Sequence, residues 1–397
     1  MRLGESHLTY CTNIHPGETW KDIRGNLEHY LPLVKRRVCP EAPFGVGLRL
    51  SAAAAESLSE PPAREEFAGF LREHGLYVFT INGFPYGPFH GVPVKDAVYL
   101  PDWRDEARLA YTNRLADLLS VLLPAGGGEP GSISTVPGAF KRNASNPEAI
   151  ERIAELMVRH VSHLVKLERE TGRCIVLAIE PEPCCLLETI EETVAFFRAH
   201  LHSVRAAERL ATLSGLDREQ ARQALRRHVG VCLDLCHAAV EFEDAAQCMR
   251  SLSDEGIEIA KIQVTAGLRI PRVTSDAVER LRRLDEAVYL HQVVEREAGA
   301  LRRYVDIGAA CESKAWRSGE CEWRVHFHVP VFLEELEGFS STQAFVREAL
   351  ALHKERARSP HLELETYTWS VLPARVREVP IEEAIARELL WVRGELA

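Results

Sequence analysis

An eight-stranded parallel α/β barrel, the (β/α)8 TIM architecture, is the fold this sequence predicts, on three observations. Short β-rich runs alternate with helix-period segments along all 397 residues. Several runs, such as IVLAIE ending at Glu180, are apolar with little alternation, as in parallel strands covered on both faces. The runs end in polar side chains that can ligate a metal, which is where such barrels place their sites.

The expected strands, in chain order, are Leu8–Thr12, Gly45–Leu50, Tyr77–Asn82, Ser132–Val136, Cys174–Glu180, Val229–Asp234, Ile259–Gln263, Glu322–Val329 and Leu362–Tyr367. Nine candidates compete for eight places. Glu322–Val329 follows a long segment with a helix-like stretch around Val278–Glu297, so it reads as an extension within the seventh loop. Leu362–Tyr367 then closes the barrel as its eighth strand. The clearest helix starts at Asn146-Pro147, an N-cap followed by proline at the first helical position. Ile150, Ile153, Met157, Val161 and Leu164 recur along it at helical spacing, and Gly172 can end it.

The chain reads as one domain, 1–397, with three insertions, 83–105, 181–228 and 268–320, as loop or lid segments over the C-terminal face. The glycine-rich stretch 125–132 reads as a surface loop. No helix start follows its glycines, as a phosphate-binding loop would need.

Bulk composition narrows the class. Hydrophobic residues make up 46% and charged residues 27%, enough apolar mass for a large core. The net charge of −10 argues against a sequence-independent nucleic-acid binder, which needs cationic surplus facing phosphate. The ten cysteines read as reduced structural thiols. With no apolar run long enough to span a bilayer and no leader-like N-terminus, a cytoplasmic location is expected.

The strand ends carry the chemistry. CIVLAIEPEP places Glu180 where the fifth strand leaves the core, and GVCLDLCH places Asp234 at the mouth with His237 three residues on. AKIQVTAG ends in Gln263, LELETYTW in Glu365, and FTING in Asn82. A buried carboxylate is costly unless paired or bound to metal. Three converging on one mouth repel each other, and one divalent cation (Mn, Mg, Zn or Co) resolves that. Two glutamates at such a cation suit proton transfer beside a carbonyl, so Glu180 and Glu365 are the expected catalytic pair.

Other candidates follow from position. His237 lies on the metal-facing loop, where it can contact substrate. His326 and His328 alternate with Phe327 and share one strand face, with Arg324 in the same phase. His15, His90 and Lys95 lie in loops after the first and third strands. Phe84, Tyr86, Phe89, Trp20 and Trp369 are candidates for an apolar wall over a substrate ring. His160 and His163 read as solvent-facing.

The order of Glu180, the Asp234-x-x-His237 pair, Gln263 and Glu365 resembles the xylose-isomerase-like barrel superfamily, which includes sugar isomerases, ketose epimerases and the endonuclease IV type of repair enzyme. The segments LTYCTNIHPGETW, NGFPYGPFHG, SISTVPG and HFHVPVF resemble the EboE proteins, described as metabolite traffic proteins, over nearly the whole chain. The superfamily resemblance implies that Glu180, Asp234 and Glu365 ligate one metal. Gln263 stands where the epimerase branch has histidine, and His328 or His326 can supply the missing nitrogen. The endonuclease branch needs histidines where Asn82 and Ser134–Thr135 stand.

The expected function is a metal-dependent isomerase or epimerase of a polyol, sugar or cyclitol derivative, working through an enediolate in a secondary-metabolite or export pathway. One alternative is a non-catalytic carrier on the same barrel. A second is a metal-dependent phosphoesterase of the endonuclease IV kind.

Overall fold

The computed structural model describes residues 1–124 and 128–397, so residues 125–127 of the glycine-rich loop lie outside the described residues. Eight parallel strands form the barrel: β1 Ser6–Tyr10, β2 Phe44–Arg49, β3 Leu76–Asn82, β4 Gly131–Thr135, β5 Ile175–Ile179, β6 Val229–Asp234, β7 Ile259–Val264 and β8 His361–Leu364. Each pairs in parallel with the next from β2 to β8, and β8 pairs with β1 with Leu362 opposite Leu8. A parallel bridge between Cys11 and Gly47 joins β1 to β2 and closes the ring.

The expected strand set therefore matches the barrel, with ends that coincide or shift by at most three residues. The eighth strand stops earlier than expected. Tyr367 belongs to a 3-10 turn, Tyr367–Val371, which starts where Thr366 donates to the Glu388 carboxylate of the C-terminal helix. Helix Pro147–Thr171 forms as expected. Asn146 Oδ1 accepts from Ala149 N at its start, and Gly172 ends it at φ 69°, a conformation that favours glycine. Within 181–228, helices Val204–Ser214 and Arg218–His228 pack in the outer layer, the former against Pro147–Thr171.

The seventh loop builds its own antiparallel sheet. Glu322–Val329 lies between Ala266–Ile270 and Val293–Glu297, outside the barrel as the strand count required. The helix-like stretch 278–297 is corrected here. Only Ser275–Leu281 is helical, and Val293–Glu297 is a strand because it pairs with Glu322–Val329 and Ala300–Tyr304. Cross-strand pairing of buried Val293 and Val294 overrides the helical spacing of that segment.

Polar residues line the barrel bore. Lys261 of β7 pairs with Glu363 of β8 at 2.5 Å, both fully buried. Its ammonium also reaches across to Ser134 Oγ of β4 at 3.3 Å. Burial works against this charge, but the neighbouring Glu363 overrides burial and raises the Lys261 pKa. Space for the pair comes from Gly47 of β2, where an added Cβ would stand 1.9 Å from Glu363 Oε1 and 2.7 Å from Tyr10 O. Lower in the bore, Ser132 Oγ bonds both Thr80 Oγ1 and His361 Nδ1, each at 2.8 Å.

Two substitutions test this arrangement. Lys261→Met strands a buried carboxylate and should cost about 3–5 kcal/mol. Gly47→Ala should cost at least about 1–3 kcal/mol by overpacking. Midpoints of urea unfolding check both; wild-type midpoints would disprove the role given to the pair.

Candidate metal centre

Glu180 follows directly on β5, Asp234 ends β6, and Glu365 follows β8, so all three emerge at the C-terminal mouth. All are buried, and one oxygen from each lies within 4.8 Å of the others. Their anchoring differs. Asp234 Oδ1 accepts from the backbone N–H of Cys236 at 2.6 Å and of His237 at 3.0 Å, capping helix Leu235–Val240. Glu365 Oε1 accepts from Asn13 Nδ2 and Asn82 Nδ2, each at 2.7 Å. Asp234 Oδ2 and Glu180 Oε2 are buried with no hydrogen-bond partner. Gln263, opposite Asp234 in the β6–β7 register, has both amide atoms in the same condition.

Such unpartnered atoms are costly in a dry site. Burial first, then Glu365 and Asp234, holds the Glu180 carboxyl well above the usual range. Burial, then Asp234 and Glu363, pushes Glu365 up to about 8. Asp234 is raised by burial, against the opposing pull of His328 and the two backbone N–H groups. Buried oxygen donors that resist ionising together, with free lone pairs turned to one point, fit a divalent cation.

Three histidines cover this group. His237 comes from helix Leu235–Val240, and His326 and His328 come from strand Glu322–Val329. Their Nδ1 atoms bond Pro181 O at 2.9 Å, Gln292 Oε1 at 2.7 Å and Glu365 O at 2.5 Å respectively. Burial lowers all three, His237 to about 3 and His328 to about 4, so the rings are neutral at pH 7. Beside them Glu182 Oε1 accepts from Tyr99 Oη at 2.6 Å, and burial raises its carboxyl to about 8. Above the group opens a cleft of about 500 Å³, mouth included, walled by Phe84, Phe89, Tyr99, Tyr289 and Tyr367.

The other expected residues divide by place. Asn82 reaches the centre through Glu365, and Lys95 lines the cleft while donating to Asp306 Oδ2 at 2.7 Å. His90 Nε2 bonds the backbone O of Asn13 at 2.6 Å. His15 stacks on Tyr30 with ring centres 4.1 Å apart and does not line the cleft. Arg324 shares the phase of His326 and His328 but sits further back on the strand. It donates to Ala239 O at 2.6 Å and lies 4.1 Å over the Phe242 ring. Of the aromatic wall, Phe84 and Phe89 line the cleft, whereas Trp20, Tyr86 and Trp369 do not. His160 is buried, not solvent-facing, because it shares the inner face of its helix with Met157 and Leu164 and bonds Asn113 Oδ1. His163 stays partly exposed against Asp117.

Asn13, Tyr99, Glu182, Gln292, Lys261, Glu363 and Tyr367 also build the centre and were not singled out from sequence. Glu363 had a signal, since it sits in phase with Glu365 in LELET. Gln292 had none, being brought in by a strand of the inserted sheet.

No protein-family model matches this chain, and no curated protein does. Solved structures show a distant likeness. A probable 3-DHS dehydratase, AsbF, from Bacillus anthracis is 12% identical, covers 98% of each chain and has a TM-score of 0.43. An IOLI protein with a bound zinc atom is 13% identical, covering 98% of this chain and 97% of its own, at 0.45. A xylose isomerase-like TIM barrel protein from Mycobacterium smegmatis, in complex with magnesium, is 14% identical, covering 98% and 100%, at 0.46. Likeness this distant does not say what the chain does; the barrel itself rests on the strand register.

The raised carboxyls set a pH dependence. A carboxyl whose folded pKa lies above its unfolded value of about 4.3 stabilises the fold fully below that value. That contribution is lost as pH rises toward the folded pKa, about 8 for Glu365. With no cation bound, the protein should therefore lose stability from pH 5 to pH 8, by up to about 1.4 kcal/mol per pH unit per carboxyl. Glu180→Gln should flatten that slope, as read by thermal melts across the range; an unchanged slope would contradict the electrostatic account.

Proposed function

We propose that this protein is a metal-dependent isomerase or epimerase of a sugar, polyol or cyclitol derivative, moving a proton beside a carbonyl. The observation that carries the reading is the pair Glu180 and Glu365. Each has an oxygen with no partner among the described residues, each has a raised pKa, and both line the cleft at the barrel mouth.

Glu180, Asp234 and Glu365 would hold one divalent ion (Mn, Mg, Zn or Co), with Gln263 and His328 as neutral donors beside them. When bound, the ion supplies Lewis-acid polarisation of a substrate carbonyl. One glutamate takes the proton from the adjacent carbon, leaving an enediolate, and the other returns a proton. Return to the neighbouring carbon gives an isomerase; return to the opposite face of the same carbon gives an epimerase. Asn13 and Asn82 hold Glu365 Oε1, so its other oxygen is the one positioned to move the proton. His237 lines the cleft as a neutral substrate contact, its Nδ1 proton held by Pro181 O. Phe89, Val94 and Lys95 from 83–105, and Tyr289 and Leu290 from 268–320, make those segments the lid that keeps water out. His15 and Arg324 support the site from outside the cleft.

The acidic net charge and the small cleft support a small-molecule partner. Among the described residues no helix is long and apolar enough to cross a membrane. The EboE resemblance keeps a non-catalytic carrier as the main rival, and solvent exchange separates the two. In D2O the protein should place deuterium on carbon in a bound ketose, aldose or cyclitol ketone, which neither a carrier nor a phosphoesterase does. Glu180→Gln and Glu365→Gln should each cut that exchange by at least about 100-fold, the range for a lost acid–base group, with the fold retained by circular dichroism. Full exchange in either variant would sink the assignment. Chelation should abolish exchange, and a cation at 100 times its Kd should stabilise the stripped protein by about 2.7 kcal/mol. A melting point indifferent to cations would remove the metal from the mechanism.

A further inference from the structure

The N-terminal end of the barrel, opposite the mouth, gathers metal-capable side chains that the reaction proposed above does not use. Cys174 immediately precedes β5, His228 immediately precedes β6, and Glu168 lies near the end of helix Pro147–Thr171. One donor atom from each lies within 4.8 Å of the others. The Cys174 thiol is in no disulfide.

Two of these donors are oriented from behind. His228 is buried, and its Nδ1 faces the backbone carbonyl of Ile175 at 2.8 Å, which only accepts. The ring therefore carries a proton on Nδ1 and turns Nε2 to Glu168 Oε2, 3.1 Å away. Arg227 grips the same carboxylate, with Nη2 2.6 Å from Oε1. An imidazole that donates its other nitrogen to a carbonyl, and a carboxylate that is itself hydrogen-bonded, are the outer contacts that orient metal ligands.

A charged His228 beside Glu168 would be a plain ion pair. Burial lowers the His228 pKa, outweighing the Ile175 carbonyl and Glu168, so at pH 7 the Nε2 lone pair faces a carboxylate oxygen. Nor is the group a proton relay. Nδ1 is committed to Ile175, and only Nε2 is left for both the thiol and the carboxylate. Donors around a tetrahedral Zn²⁺ stand about 3.3–3.5 Å apart, given bonds of about 2.0–2.3 Å, so the 3.1 Å between Nε2 and Oε2 is close to the span of two ligands.

We propose that Glu168, Cys174 and His228 form a zinc site at the foot of the barrel, separate from the carboxylate centre at the mouth. A thiolate, an imidazole and a carboxylate oxygen select a borderline ion such as Zn²⁺ or Co²⁺ over Mg²⁺ or Mn²⁺. Burial holds the free Cys174 thiol up at about 11, and coordination displaces its proton to solvent. The fourth position falls to water, which enters by the cleft that Cys174 lines with Gln223, Arg227 and Glu258. The ion ties helix Pro147–Thr171 and the start of β5 to the end of helix Arg218–His228, where the 181–228 insertion rejoins the barrel. It clamps the fold and takes no part in the chemistry proposed at the mouth.

Cobalt spectroscopy on the full-length protein tests this, because a thiolate ligand gives a sulfur-to-cobalt charge-transfer band in the near ultraviolet. Wild type, dialysed against chelator and titrated with Co²⁺, should develop the band, and Zn²⁺ should abolish it. Cys174→Ser should lose the band with its circular dichroism unchanged. Glu168→Gln should keep the band but weaken Co²⁺ binding by at least about tenfold. The double variant Glu180→Gln/Glu365→Gln should keep the band at full strength, so failure of the mouth centre and failure of this site are distinguishable. A band that survives Cys174→Ser would belong to Cys236, which lies near His326 and His328 at the mouth, and overturns the proposal. Absence of the band in wild type overturns it as well.

Discussion

Charge balance inside the barrel bore is the constraint on which the rest of the structure depends. Four buried carboxyl groups, Glu180, Asp234, Glu363 and Glu365, share the bore with one buried ammonium, that of Lys261. Lys261 is spent on Glu363, at a level where Gly47 leaves room for the pair. The upper three carboxyls are left with amide and backbone donors that reach only some of their oxygens. In so dry a place that imbalance is met by protons or by a cation. The same residues thus account for the raised carboxyl pKa values and for the fit of the group to a cation.

The inserted sheet answers a different need. A bare barrel mouth would let water screen the carboxyls. Strand Glu322–Val329 lies across the mouth, antiparallel to Ala266–Ile270, which leads directly out of β7. It delivers His326 and His328 onto His237, and its neighbour Val293–Glu297 follows Gln292, whose amide fixes His326. The sheet covers the mouth and supplies two of its histidines, so the geometry of the centre is set by two sheets that share one core.

Much of this was legible in sequence because it depends on local pattern. Apolar runs ending in Glu180, Asp234 and Glu365 mark strands whose last residues face the mouth, and Asn146-Pro147 with Gly172 marks a helix from end to end. Where reading failed, a partner distant in sequence decided. The stretch 278–297 has helical spacing, but Val293 and Val294 pair with residues about thirty positions later. His160 is polar on an amphipathic helix, yet its face is the one packed inward. Arg324 keeps the phase of the histidines, but phase does not say how far along a strand the mouth lies.

By itself the sequence determined the barrel, the order of its strands and the three carboxylates that end them, since each follows from side-chain period and from the cost of burying charge at an apolar run. Only the tertiary structure decided that Lys261 would be consumed by Glu363, that Asn13 and Asn82 would hold one oxygen of Glu365, and that three imidazoles would meet beside Asp234. Those outcomes depend on distances between residues far apart in the chain, as between Asn13 and Glu365. Such distances exist only once the ring is closed and the inserted sheet is laid across it.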